Sequence, residues 1–158
     1  MSPARVILLN CIGWPALQLS LAWGMGCLPA RWFAKEAAWS RVCQWESPLY
    51  RRVLRLRSWK HRLPDGASWF AGGFAKKKLE MRNREYLMRF VAETRRGELA
   101  HWLMIACVPL FFVWNPPWAC VVVAFYALIA NLPCIIVQRY NRATLLRVPK
   151  NTYRDKAE

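Results

Sequence analysis

Three apolar stretches separated by polar residues dominate the pattern along the chain. They cover residues 6–28, 99–114 and 118–137. As a helix with a rise of about 1.5 Å per residue, the first would be about 34 Å long, which matches a hydrocarbon core of roughly 30 Å. Asn115-Pro116-Pro117 separates the other two, and two prolines cannot continue a helix. So short a loop predicts an antiparallel hairpin, and the whole pattern predicts an all-α membrane protein with three transmembrane helices.

A cleaved signal peptide is the alternative interpretation of the first stretch. Only one basic residue, Arg5, precedes the stretch, and the apolar run is longer than that of a signal peptide. No small-residue cleavage site follows it. We therefore expect a retained helix.

The segment between the first two spans is basic and shows amphipathic patterns. Leu49, Val53, Leu56 and Trp59 fall on one helical stripe, with arginines beside them. This pattern predicts a short helix in the membrane interface, and a surface helix of a soluble domain is the alternative. Residues 76–96 show a second amphipathic pattern that leads into the next span. The sequence thus predicts interfacial helices within a cytoplasmic connector at 31–97.

The composition shows that charge and apolar sequence are segregated along the chain. Hydrophobic residues make up 56% of the chain, yet it has 24 basic side chains and only 9 acidic ones. Basic residues beside membrane spans favour anionic lipids over nucleic acid as the partner. We expect the cysteines to be reduced and buried as small apolar side chains. We expect no metal site, because neither histidine has a thiol at ligand spacing.

The distribution of basic residues predicts the orientation. Only Arg5 precedes the first span, whereas 17 basic residues occupy 31–96, six follow from 139, and the turn at 115–117 has none. By the positive-inside rule, the N-terminus and this turn face outside, and the connector and C-terminus are cytoplasmic. We predict a single integral domain over 1–158 in the inner (cytoplasmic) membrane, with a flexible tail at 146–158. The start of the second span and the end of the third should meet at the inner face.

A charged cluster lies at the start of the second span, within V-A-E-T-R-R-G-E-L-A-H at 91–101. On a helix, Glu93, Glu98 and His101 share one sector, and Glu98 precedes His101 by three residues. A carboxylate beside an imidazole orients the ring and stabilises its protonated form, as a general base requires. These three residues are the catalytic candidates, and Gly97 leaves the helix wall between them thin. The alternative is structural, with the acids neutralising arginines and His101 reaching the interface.

Polar residues on the second and third spans are the candidates for substrate binding. Of Arg95 and Arg96, which point to different sides of the helix, one would pair with Gln138 or a carboxylate and the other would hold the phosphate of a ligand. The alternative is that both contact lipid phosphates. An amide inside a span either donates to a substrate oxygen or joins two helices. The candidates on the third span are Asn131, Gln138, Arg139, Tyr140, Asn141 and Arg142.

The connector contains a weaker motif, His61-x-x-x-Asp65, before Gly66. It matches the residue pattern of the catalytic-base motif in some soluble acyltransferases, but a histidine and an aspartate at this spacing are common by chance. We include both residues among the binding candidates. The sequence has no G-x-S-x-G, no P-loop and no dinucleotide fingerprint.

Three motifs carry a resemblance to a known family. They are W-K-H-R-L-P-D-G at 59–66, E-T-R-R-G-E-L-A-H-W at 93–102 and F-Y-A-L-I-A-N-L-P-C-I-I-V-Q-R-Y-N-R at 125–142. From about Trp14 to Leu145, the chain resembles the bacterial glycosyl-diaponeurosporenoate acyltransferases, the last-step enzymes of staphyloxanthin-type carotenoid pigments. Gly97 stands where the family pattern has alanine. The resemblance implies a small membrane enzyme that esterifies a primary sugar hydroxyl on a lipid with a fatty acyl chain.

The resemblance also implies roles for the candidate residues. His101, oriented by Glu98, would take the proton of the acceptor hydroxyl, which would attack the acyl donor directly. Asn131 or Gln138 would stabilise the oxyanion.

No cofactor is expected, because acyl-CoA or acyl carrier protein would supply a thioester as co-substrate. Arg96, Arg139 and Arg142 would face the donor's phosphates or an acidic carrier protein. The second class of function is non-enzymatic, a lipid-binding or partner-binding membrane subunit.

Overall fold

Three long helices form the structure, a computed structural model that describes residues 1–63 and 84–147. We label them α1 (Pro3–Cys27), α2 (Arg84–Ala106) and α3 (Pro117–Leu146). A 3-10 segment, Val108–Val113, extends α2 toward the turn before α3. With this extension all three are long and apolar enough to cross a membrane, and the two described ranges contain no strand. The predicted all-α fold with three transmembrane helices is confirmed.

The helices extend beyond the predicted spans. α2 runs without a break from Arg84 past the predicted start at 99, so the amphipathic pattern and the span are one helix. The beginning of that pattern, at 76–78, lies outside the described residues. α3 contains Pro133 and continues to Leu146, well beyond the predicted end at 137. Its added turns carry polar side chains that the connector and α2 satisfy, which is why the helix does not end with the apolar run.

An amide pair fixes α1 to the hairpin turn. Asn10 and Asn115 exchange two side-chain hydrogen bonds, of 2.8 and 2.9 Å. Trp114 Nε1 donates to Asn10 Oδ1 at 3.0 Å. Polar groups that pair across helices avoid the cost of an unsatisfied group in an apolar medium. The contact therefore holds one end of α1 against the loop between α2 and α3.

The six cysteines are free, but they are not buried as predicted. Three of them are exposed, namely Cys11, Cys27 and Cys43. The other three are half-buried, namely Cys107, Cys120 and Cys134. The prediction of burial is wrong: Cys43 is exposed on the connector, and Cys11 and Cys27 lie on α1, most of whose surface faces away from the rest of the chain. In a bilayer such positions contact lipid, which accepts a small apolar thiol.

The connector consists of short helical turns. They are Ala30–Phe33, Ala38–Ser40, Glu46–Pro48, Leu49–Val53, Leu56–Trp59 and Lys60–Arg62. Arg55 adopts a φ of 44°, in the left-handed region, and interrupts the helix expected at 49–59. Leu56 is therefore buried whereas Val53 is exposed, so the predicted apolar stripe is not one surface. The prediction of a single interfacial helix there is wrong.

The connector packs against the C-terminal turns of α3. Lys60 donates to Asn141 Oδ1 at 3.2 Å. Next to this contact lies an apolar cluster of Tyr50, Leu56 and Tyr140. The start of α2 and the end of α3 thus meet at the same end of the molecule, as predicted, and the connector covers them.

Candidate active site

A network of buried ion pairs joins α2, α3 and the connector. Glu98 of α2 is fully buried, and different arginines hold its two oxygens. Arg139 Nη1 donates to Oε1 at 2.7 Å, and Arg142 Nη2 donates to Oε2. Arg139 also donates to Glu46 of the connector, with distances of 2.6 and 2.8 Å. This pairing offsets the cost of removing each ion from water.

The two arginines of this network are structural, which contradicts their predicted role toward donor phosphates. Arg139 also donates to the backbone oxygens of Trp39 and Arg41, at 3.1 and 2.7 Å, so all three of its nitrogens are engaged. Arg142 is fully buried. Their partner Glu98 lies 41 and 44 residues away in the sequence. No local pattern reveals so distant a counterion.

Glu46 is a network residue that the sequence analysis missed. It also accepts hydrogen bonds from the Tyr50 hydroxyl at 2.6 Å and the Cys43 backbone N–H at 2.8 Å. Burial by itself raises the pKa of Glu46, but hydrogen bonds from Arg139, Cys43 and Tyr50 outweigh burial and lower it to about 2. Burial and the adjacent Glu46 raise the pKa of the Tyr50 hydroxyl. The only local signal was the i, i+4 spacing of Glu46 and Tyr50.

The imidazole of His101 is oriented by Asn131 and not, as predicted, by Glu98. His101 Nδ1 and Asn131 Oδ1 are 2.8 Å apart. Asn131 Nδ2 donates to the Ala127 backbone oxygen at 2.9 Å, which directs the amide oxygen to the histidine. Because an amide oxygen only accepts, Nδ1 carries a proton, and in the neutral ring Nε2 then carries the lone pair that a base needs. Glu98 is not available for this role because both of its oxygens bind arginines.

Three further candidates, Glu93, Arg95 and Arg96, connect α2 to the chain that follows α1. Arg95 is buried, and its Nη1 donates to the backbone oxygens of residues 33 and 34, at 3.0 and 2.7 Å. Arg96 donates to the oxygen of residue 28 at 2.6 Å and pairs with Glu93 at 3.2 Å. All three side chains therefore have hydrogen-bond or ion-pair partners inside the protein. These contacts argue against a catalytic role for Glu93 and against phosphate binding by the arginines.

Gln138 lies against Gly97, one helical turn from His101. A Cβ atom at Gly97 would be 3.0 Å from Gln138 Nε2 and 3.1 Å from its Cδ. The glycine therefore lets this side chain of α3 lie directly on α2. Gln138 is half-exposed as a residue, and its buried Oε1 has no hydrogen-bond partner among the described residues. The oxygen and the nitrogen of Asn131 each have a hydrogen-bond partner, whereas the oxygen of Gln138 has none within the described residues.

The remaining binding candidates that the structure describes contact the connector or lie on it. Tyr140 is buried, with Lys60 Nζ 5.1 Å from its ring centre, and the same lysine donates to Asn141. His61 is exposed on the connector, and Asp65 lies outside the described residues. Within 1–63 and 84–147, no three His, Cys, Asp or Glu side chains are grouped as metal ligands.

Known proteins resemble this chain over most of its length. A family model described as glycosyl-4,4'-diaponeurosporenoate acyltransferase matches residues 29–151. A protein of that name from Staphylococcus haemolyticus (strain JCSC1435) is 30% identical over 140 residues, which are 87% of this chain and 81% of the relative. Another from Staphylococcus aureus (strain USA300) is 31% identical over 138 residues, 85% of this chain and 82% of the relative. No solved structure matches the chain significantly. The chain is therefore a membrane acyltransferase that belongs to the glycosyl-4,4'-diaponeurosporenoate acyltransferase family.

Proposed function

We propose that the chain transfers a fatty acyl group from a thioester to a sugar hydroxyl of a lipid-linked acceptor, at the cytoplasmic face of the membrane. The observation that carries this proposal is the hydrogen-bonded pair of His101 and Asn131 where α2 and α3 meet. The name of the relatives, glycosyl-4,4'-diaponeurosporenoate acyltransferase, supports a glycosylated, apolar acceptor.

In this mechanism His101 is the general base. Its Nε2 takes the proton of the acceptor hydroxyl while the hydroxyl oxygen attacks the thioester carbon. The tetrahedral intermediate then collapses, the carbon–sulfur bond breaks, and the leaving sulfur takes the proton from the imidazolium. The products are an ester and a thiol, so the histidine returns to its starting state.

Direct transfer is supported by the hydrogen bonding of Cys134, a thiol on the helix that carries Asn131 and Gln138. Cys134 lies on α3 between Asn131 and Gln138, and its Sγ donates to the Ala130 backbone oxygen at 3.7 Å. A thiol that donates keeps its proton, whereas a nucleophilic cysteine must be a thiolate. The acyl group therefore passes to the acceptor without an acyl-cysteine intermediate.

Gln138 is the residue that stabilises the oxyanion. Asn131 uses its oxygen for His101 and one of its two N–H donors for the Ala127 backbone, and at 1% exposure its remaining N–H does not face a substrate. Gln138 lies on the same face of α3 two turns further on, and it packs against the helix that carries His101. A donor of this kind is worth about 2.7–4 kcal/mol in the transition state.

The cytoplasmic assignment rests on charge. The connector that covers the site holds most of the basic residues of the chain, whereas the 115–117 turn at the other end of α3 has none. By the positive-inside rule, the site faces the cytoplasm, where acyl-CoA and acyl carrier protein supply thioesters. The chain would then be one integral domain of the inner membrane that needs no bound cofactor, with membrane lipids around it.

Replacement of His101 tests the mechanism. With purified protein, a glycosylated carotenoid acid and either thioester donor, we expect His101→Ala to lower ester formation at least about a hundredfold. Asn131→Leu should lower it less, because the imidazole is present but no longer held in one tautomer. Trp102→Ala is the control, since this neighbouring ring is 43% exposed and outside the pair.

Ester formation by His101→Ala near the wild-type rate, with membrane insertion intact, would remove His101 from the mechanism. If the wild-type protein uses neither donor and copurifies with an intact phospholipid, the site is a lipid-binding site and the proposed reaction is wrong.

A further inference from the structure

A short part of the connector concentrates unpaired positive charge. We call residues 51–57 the arginine segment, because four of its seven residues are arginines. Arg51, Arg52, Arg55 and Arg57 are all exposed. In the part of the chain that the structure describes, none of them forms an ion pair or donates a side-chain hydrogen bond. The buried acids of the fold are already paired with other arginines.

The contacts of the connector place the arginine segment at the depth of lipid headgroups. Leu56 is fully buried, in an apolar cluster with Tyr140 of α3. Arg147, just past the end of α3, donates to Ser47 at 2.6 Å. A hydrocarbon core of roughly 30 Å accommodates about 20 residues of a helix, so the apolar part of α3 fills it by about residue 137. The turns of α3 that hold the connector therefore emerge into the headgroup layer.

Exposed tryptophans on the same connector support this depth. Trp32 and Trp45 are each 64% exposed, and Trp39 is 42% exposed. A tryptophan with its ring outside the protein core is typical of the layer between lipid and water, where its ring is in lipid and its N–H is hydrated. Three such rings on the connector that also carries the arginine segment favour a membrane surface over water as its surroundings.

The backbone of Arg55 adopts a left-handed conformation. Its φ of 44° lies in a region that glycine adopts easily and that costs other residues about 1 kcal/mol or more. The Ser58 backbone N–H and hydroxyl donate to the Arg55 carbonyl oxygen at 2.9 and 2.8 Å, which holds this backbone in place. The Arg55 side chain is thereby held in an exposed position.

We propose that the arginine segment binds the phosphates of anionic phospholipids in the leaflet that contains the start of α2 and the end of α3. Guanidinium groups bind phosphate through paired hydrogen bonds, and a basic segment at this depth meets phosphate at high local concentration. This inference goes beyond acyl transfer and does not require it. An acidic carrier protein is the competing partner, and the exposed tryptophans favour the lipid.

Fluorescence quenching by brominated lipids tests the proposal. The full chain is reconstituted in phosphatidylcholine vesicles that contain either brominated phosphatidylglycerol or brominated phosphatidylcholine. We expect the tryptophan fluorescence to show an approximately fivefold preference for phosphatidylglycerol, equivalent to one arginine–lipid contact. The preference should decrease as salt is raised, because the contact is at the surface. A variant with Arg51, Arg52, Arg55 and Arg57 all changed to Gln should lose it, and one with all four changed to Lys should retain it.

Two outcomes would overturn the proposal. One is an undiminished phosphatidylglycerol preference in the Gln variant. The other is an unchanged lipid preference with a loss of binding to acyl carrier protein, which would assign the arginine segment to that protein. The salt series on the wild-type protein needs no substitution, so it gives an answer even if the Gln variant does not fold. Neither result depends on whether His101 is the catalytic base.

Discussion

The residue that holds His101 determines what the imidazole can do. Asn131 is neutral, so it orients the ring and holds a proton on Nδ1 without placing a full negative charge beside the imidazole. The negative charge that the sequence suggested for this purpose, Glu98, instead neutralises two arginines. Orientation of the ring and charge compensation are therefore assigned to side chains of different helices, Asn131 on α3 and Glu98 on α2.

At the residue scale, replacement of Gln138 should change activity and stability in opposite directions. We expect Gln138→Leu to lower the turnover number about a hundredfold, because the oxyanion loses its donor. Stability should rise by about 1 kcal/mol, since the variant also removes a buried oxygen that has no partner among the described residues. Turnover measurements and thermal unfolding in detergent check the two effects.

Gln18→Leu on α1 is the matched control and should leave turnover unchanged. If Gln138→Leu retains wild-type turnover, Gln138 is a packing residue and the oxyanion has another donor.

The sequence identified His101, Asn131 and Gln138 because helical spacing and a short hairpin loop are local features. An antiparallel hairpin brings the start of α2 to the end of α3 whatever the side chains are. The choice of partner was not predictable in this way. Glu98 lies one turn from His101, but two arginines more than 40 residues away bind it more strongly than a neutral imidazole does.

At the scale of elements, Glu46 connects the connector to α3. Its pKa in the folded protein, about 2, is below the ordinary value of 4.5, so its stabilisation is fully present above about pH 4.5 and is lost as the pH falls toward 2. We expect Glu46→Gln to lower the free energy of unfolding by about 3 kcal/mol at about pH 7. The difference from wild type should shrink at about pH 3. Denaturant unfolding in detergent at both values measures this.

Glu36→Gln is the control for this experiment. Glu36 pairs with Arg41 at 3.1 Å on the surface, with side chains 41% and 73% exposed, so its loss should cost at most about 1 kcal/mol. An equal loss of stability for Glu46→Gln at both pH values would show that the carboxylate charge does not hold the connector.

The elements themselves were predictable to different extents. A span is defined by about 20 consecutive apolar residues, so α1 and the hairpin followed from local sequence. The connector did not, because the burial of Leu56 depends on Tyr140, which is far away in the chain. The end of α3 was missed for the same reason: its polar turns are stable only because the connector and Glu98 pair with them.

At the scale of the whole molecule, the predicted orientation can be tested at one exposed thiol. Cys43 lies on the connector and is exposed. In a variant that retains only this cysteine, we expect a membrane-impermeant maleimide to label inverted membrane vesicles but not intact spheroplasts, because the positive-inside rule predicts a cytoplasmic connector.

Pro116→Cys in a cysteine-free background is the matched control. The maleimide should label it in intact spheroplasts but not in inverted membrane vesicles. Labelling of Cys43 in intact spheroplasts would reverse the orientation and place the site where cytoplasmic thioesters cannot reach it.

The pairing of Glu98 with Arg139 and Arg142 has a consequence for biogenesis. Synthesis proceeds from the N-terminus, so the ribosome delivers this carboxylate before either of its counterions. A nascent chain that stops within α3 carries the acid uncompensated at the bilayer edge, where a bare charge resists insertion. α2 and α3 must consequently integrate together, and truncated translation products should be recognised by membrane quality-control proteases.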